Sequence, residues 1–191
     1  MALFPLGILS AAAGGPAFDS DYELISTTVL GGTAASVTFS SLGDYSSIYR
    51  HLQIRYTGRS TGPNADDTMR IRFNGDTGSN YAYHQLGGDG ATVFSSALTS
   101  QTGTYPAQFA GSAASANIFG SGVIDILDPY SASKNTTVRG FSGITSNTIK
   151  LVFLRSGLWN NTASITSIAI NAFDGTNLVA GSRFSLYGIR G

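Results

Sequence analysis

The side chains here that could act as bases, metal ligands or partners of a nucleophile are few: two histidines, eleven Asp and Glu, and no cysteine. Without Cys there is no thiolate nucleophile, no thiolate metal site and no disulfide. His51 and His84 both fall in predicted strands, where an exposed His commonly serves as a cross-strand polar partner. A catalytic Ser-His-Asp set needs a nucleophile held beside its base; no nucleophile-elbow turn is expected, and the many serines are uninformative about one. Asp66 and Asp67, in Gly62-Pro63-Asn64-Ala65-Asp66-Asp67, could hold a hard cation or form part of a carboxylate couple. The segment carries too few carboxylates for a calcium loop, however, and a solvated loop explains it without any ligand. Asp125 and Asp128 flank the end of an apolar stretch and read as turn caps. The reading assigns no catalytic residue, no metal and no cofactor.

Nine Tyr, eleven Phe and one Trp offer a second kind of chemistry, because an exposed ring can stack on the apolar face of a sugar. Phe39, Phe73, Phe153 and Phe184 fall on the apolar faces of predicted strands and belong to a core. Tyr81, Tyr83 and Trp159 are the candidates for ligand contact. Trp159 stands in the turn-like Ser156-Gly157-Leu158-Trp159-Asn160-Asn161, where a subunit contact, a glycan site and a core edge are all open.

The elements that must carry these residues are strands. From Tyr22 onward, short β-prone segments are divided by Gly, Asn, Asp, Ser and Pro, and no window holds a helical period. The clearest strand is Arg50 to Tyr56, with Leu52, Ile54 and Tyr56 on one face. In Thr68 to Asn74, Met69, Ile71 and Phe73 alternate with Arg70 and Arg72. Asn74-Gly75-Asp76 and Gly78-Ser79-Asn80 tolerate positive φ, which predicts a hairpin returning as Tyr81 to Leu86. Earlier strands are predicted at Glu23 to Leu30 and Ala35 to Phe39. Later ones fall at Ala91 to Ser95, Asn117 to Leu127, Thr136 to Phe141, Thr148 to Arg155, Ser164 to Ala172 and Ser182 to Ile189. Gly87 to Gln108 lacks firm periodicity and is expected to be a long loop or irregular edge, a place for functional contacts. The pattern predicts an all-β fold, a two-sheet antiparallel sandwich that is jelly-roll-like.

Composition narrows the partners. Charged residues make up 12% of the chain, against about 25% in an average protein. Eleven basic and eleven acidic side chains cancel, so no long-range field would draw nucleic acid or an anionic membrane, while little repulsion opposes self-association. Residues 1–18 form a predicted apolar arm before the sandwich domain at 19–191. The first basic residue is Arg50, and Pro5 and Gly7 interrupt the apolar run, which argues against a secretion signal. Leu3, Phe4, Leu6, Ile8 and Leu9 are the expected partner-binding residues, with Gly14, Gly15 and Pro16 as a joint.

The stretches YELISTTVLGGTAASVTFSSL, YRHLQIRYTGRS, MRIRFNGDTGSNYAYHQL, SGLWNNTASITSIAI and AGSRFSLYGIRG together resemble small virion-associated proteins of tailed bacteriophages, including cyanophages. The resemblance spans about residues 22–190 and is most specific at RFNGDTGSNY and SLYGI. It implies a non-enzymatic virion structural protein with other virion proteins as partners, either the major capsid protein or a tail component, and a homotrimer. Two roles follow. One is a capsid decoration or cement protein docked through the arm; the alternative is a tail-associated protein that binds a host surface glycan. The resemblance carries over no catalytic residue.

Overall fold

Strict alternation of Leu52, Ile54 and Tyr56 with polar residues, and of Met69, Ile71 and Phe73 with arginines, gives strands with one buried face, because successive side chains leave a strand on opposite sides. In the computed structural model, which describes residues 20–191, those six side chains are all buried. The arm residues Leu3, Phe4, Leu6, Ile8 and Leu9 lie outside the described residues.

The strands in chain order are β1 (Tyr22–Val29), β2 (Val37–Phe39), β3 (His51–Gly58), β4 (Asp66–Phe73), β5 (Tyr81–Gly88), β6 (Val93–Gln101), β7 (Thr104–Ala110), β8 (Gly120–Leu127), β9 (Thr136–Thr145), β10 (Lys150–Trp159), β11 (Ile168–Ala172) and β12 (Arg183–Ile189). A single turn of 3-10 helix, Leu42–Tyr45, interrupts them. They build an eight-stranded sheet in the order β1-β12-β3-β8-β9-β10-β5-β6 and a four-stranded sheet in the order β2-β11-β4-β7. Neighbours in both sheets run antiparallel. The fold is therefore an all-β, two-sheet sandwich, and the chain crosses from sheet to sheet at most of its connections. Phe39, Phe73 and Phe184 join Trp159, Phe109 and the isoleucines of both sheets in one core, and Phe153 is also buried.

Two expectations about elements are corrected. Asn74 and Gly75 do turn, with φ of 52° and 68°, but β4 and β5 do not pair. Each finds its partners in a different sheet, so the loop after Phe73 carries the chain across the sandwich. Asn74 holds the crossing, accepting from the backbone N–H groups of Thr166 (2.7 Å) and Ser167 (3.1 Å) while donating to the Ser164 carbonyl. Of the two expectations for Gly87 to Gln108, the loop is corrected and the irregular edge holds: the stretch contains the whole of β6, the edge strand of the large sheet, whose pairing with β5 shifts register, and much of β7, the edge strand of the small one.

β7 lies at the edge of the small sheet, yet every one of its residues is buried. The large sheet passes over it at glycines. A Cβ on Gly140 would overlap the Pro106 carbonyl, one on Gly157 would overlap the Thr104 hydroxyl, and one on Gly120 would stand 2.7 Å from the Gln108 carbonyl oxygen. Side chains of the large sheet also serve β7 carbonyls. Arg155 Nη1 donates to Tyr105 (3.1 Å) and Ala107 (2.9 Å), and the Tyr56 hydroxyl donates to Gln108 (2.6 Å).

Candidate functional site

The outer face of the large sheet divides into two unlike halves. Over β1, β12, β3 and β8 it is a polar and aromatic network. Tyr22 and Tyr187 stack at 4.6 Å, with the Arg55 guanidinium over both rings. Tyr22 donates to Gln53, Gln53 to Asp125, and Arg139 pairs with Asp125 at 3.6 Å. Asp125 therefore stands mid-strand in this network and does not cap a turn. Asp128 does sit at one, with φ of 49°, and binds Lys134 and Arg50.

Over β9, β10, β5 and β6 the same face turns apolar. Register sets Phe141 beside Leu154 and Leu154 beside Leu86 on adjacent strands, with Val152 and Val93 in the next row. Their exposures are 60% for Phe141, 55% for Leu154, 50% for Leu86, 46% for Val152 and 77% for Val93. A solvated antiparallel face ordinarily carries polar residues at such positions. The edge strand β6 adjoins this row, and Val93–Gln101 contains neither a charge nor a proline.

The inner face of β10 and β5 leads to a second feature. Along it the register pairs Trp159 with Tyr81, Gly157 with Tyr83, Arg155 with Gln85 and Phe153 with Gly87. The first pair is deep core. Trp159 and Tyr81 are each 1% exposed and stack at 6.3 Å, with Phe73 beside them. This corrects the expectation that they could receive a ligand, since neither ring face is open. Tyr83 is half-buried and opens on a cleft of about 330 Å³ between the sheets, lined also by Asp66, Gln85, Phe94, Gln108 and Arg155. Tyr83 meets Tyr105 edge-on at 5.1 Å, and Phe94 meets Phe153 at 5.5 Å. Arg155 lies 4.3 Å from the Phe153 ring centroid, and burial lowers its pKa to about 10. Burial raises the Asp66 carboxyl above its ordinary range, opposed in part by the Arg155 charge.

The remaining polar candidates do not converge on one place. Asp66 and Asp67 face opposite sides of β4, as neighbours in a strand must. Asp66 accepts from Gln108 (2.9 Å), whereas Asp67 accepts from Ser60 (2.6 Å) and Thr176 (2.7 Å). Among the described residues no three His, Cys, Asp or Glu side chains gather as a metal site would require. His51 Nδ1 accepts from the Asp128 backbone N–H (3.0 Å), and His84 is exposed on the outer face of β5. Gly58-Arg59-Ser60-Thr61-Gly62 has the G-x-S-x-G spacing of a nucleophile elbow, a match the sequence reading passed over. The elbow needs a strand-to-helix turn that exposes the hydroxyl. Here β3 runs on toward β4, and Ser60 is 1% exposed, bonded to Asp67 and the Gly62 N–H. No family model, curated protein or solved structure matches the chain.

Proposed function

We propose that this chain is a non-enzymatic structural protein of a phage virion, a capsid decoration protein docked through residues 1–18 and associating as a homotrimer. The observation that carries the reading is the apolar half of the outer sheet face, where Phe141, Leu154, Leu86, Val152 and Val93 stand together and exposed. Contiguous apolar surface of this kind marks an interaction site. The zero formal charge adds no repulsion between copies or toward a shell. Both features favour a protein that works by being built into an assembly, and the resemblance of the sequence supplies the assembly.

Cryo-electron microscopy of the virion tests the reading. Density for the sandwich at three-fold or quasi-three-fold positions of the capsid is expected, with the chain eluting as a trimer in light scattering. Density only on the tail would replace this reading with the tail-associated, glycan-binding one, and absence from the particle would overturn both.

A further inference from the structure

We propose that the cleft between β5, β6, β10 and the β4/β7 edge binds one uncharged sugar residue of a glycan, wherever the chain is assembled. Three observations give the ligand class. First, Asp66 and Arg155 are the only charged residues lining the cleft among the described residues, so their charges cancel and neither an anion nor a cation is selected. Second, two of the side chains that line it each carry one orphan polar atom, and the two atoms are of opposite kinds. Arg155 Nε, a donor, and Gln108 Oε1, an acceptor, are buried without a partner among the described residues, on side chains 4% and 5% exposed. Leaving such atoms unmet costs about 1–3 kcal/mol each, and native structures tolerate few of them. Neither atom is open to the cleft as it stands, so a guest meets them only once both Arg155 and Gln108 shift; a hydroxyl, which both accepts and donates, can then answer both kinds.

Third, the walls suit the apolar face of a sugar ring. Tyr83 and Phe94 are half-buried at the cleft, each braced edge-on by a buried ring, Tyr105 and Phe153 respectively. Rings fixed in this way present a rigid apolar surface with little entropy left to lose. Gln85 and Thr68 add an amide and a hydroxyl to the lining. The cavity, at about 330 Å³, lies at the small end of the range for ligand pockets, about 300–1,000 Å³, which fits one residue of a chain and not an oligosaccharide.

The test is saturation-transfer NMR and calorimetry on the full chain with the methyl glycosides of glucose, galactose, mannose, rhamnose and N-acetylglucosamine. At least one is expected to bind in the millimolar range. Tyr83→Ala and Asp66→Asn should each weaken that binding roughly tenfold, about 1.4 kcal/mol, while Leu154→Ser on the outer face leaves it unchanged. Methyl glucuronide should bind no better than methyl glucoside. Should Asp66→Asn fail to fold, Gln85→Ala carries the same expectation. The proposal is overturned if no glycoside binds, if binding survives Tyr83→Ala in a folded protein, or if the charged glycoside is preferred. The Leu154→Ser arm separates this outcome from any failure of assembly through the outer face.

Discussion

Asp76 shows how much one loop carboxylate can join. Its Oδ2 accepts from Trp159 Nε1 (2.8 Å) and Asn80 Nδ2 (3.0 Å), and Oδ1 accepts from the Gly78 N–H (2.8 Å). The crossing loop is thereby fastened to the end of β10. These bonds, that from Trp159 foremost, hold the Asp76 carboxyl below its ordinary range. A lowered folded-state pKa stabilises fully above the unfolded value of 3.8, and that stabilisation is lost as pH falls through the folded value. Asp76→Asn is therefore expected to cost roughly 1–3 kcal/mol near neutral pH, with the gap from the parent protein closing in acid. Urea melts followed by fluorescence of Trp159, the single tryptophan, measure this directly; a gap that stays constant down to about pH 2 would contradict it. At this scale the sequence revealed residue type but not exposure. Tyr81, Tyr83 and Trp159 look alike as strings, and only the register that sends two of them to the core and one to the cleft tells them apart.

Among the elements, β7 escaped the sequence reading and β6 was caught only at its start, in the strand predicted for Ala91 to Ser95, for opposite reasons. Alternation betrays a strand only when its two faces differ. β7 is buried on both faces and β6 is exposed along nearly its whole length, so neither alternates. The strands with one wet and one dry face, β3 and β4, were legible almost to the residue. The turn at Asn74-Gly75 was also legible, but turn chemistry fixes a reversal and not which sheet receives the next strand. The burial of β7 depends on missing side chains above it. Gly140→Ala, whose Cβ would strike the Pro106 carbonyl, should destabilise by about 1–3 kcal/mol. Gly31→Ala, with open space around it, should change stability by less than about 0.5 kcal/mol; equal effects in chemical denaturation would show that the sheet gives way at Gly140. β6 has the opposite exposure, being an uncharged edge strand whose outer side pairs with no strand among the described residues. Ser95→Lys should leave the melting temperature nearly unchanged and raise the concentration at which the protein begins to scatter light. No change in that threshold would mean that β6 is not where molecules meet.

At the scale of the molecule, the class of the fold was written in composition and period, and the unequal division into eight and four strands was not. That division depends on pairings between segments far apart in the chain, which no local window contains. The most distant pairings involve β12. It lies between β1 and β3, with Tyr22 opposite Ile189 and His51 also opposite Ile189, and it buries Phe184 and Leu186 in the core. Removing residues 183–191 should therefore abolish cooperative unfolding, as judged by the Trp159 fluorescence transition, although it deletes only one of the twelve strands of the described residues. A truncated chain that still melted sharply would show that the sandwich can close without the strand that joins β1 to β3. The position of β12 also bears on biosynthesis. On the ribosome β1 and β3 are made early, and each waits with an unpaired side until the strand that joins them has been translated. The nascent chain thus carries open sheet edges from the synthesis of β1 and β3 until that of β12, more than a hundred residues later, so pairing in this half of the large sheet trails far behind translation of its first strands.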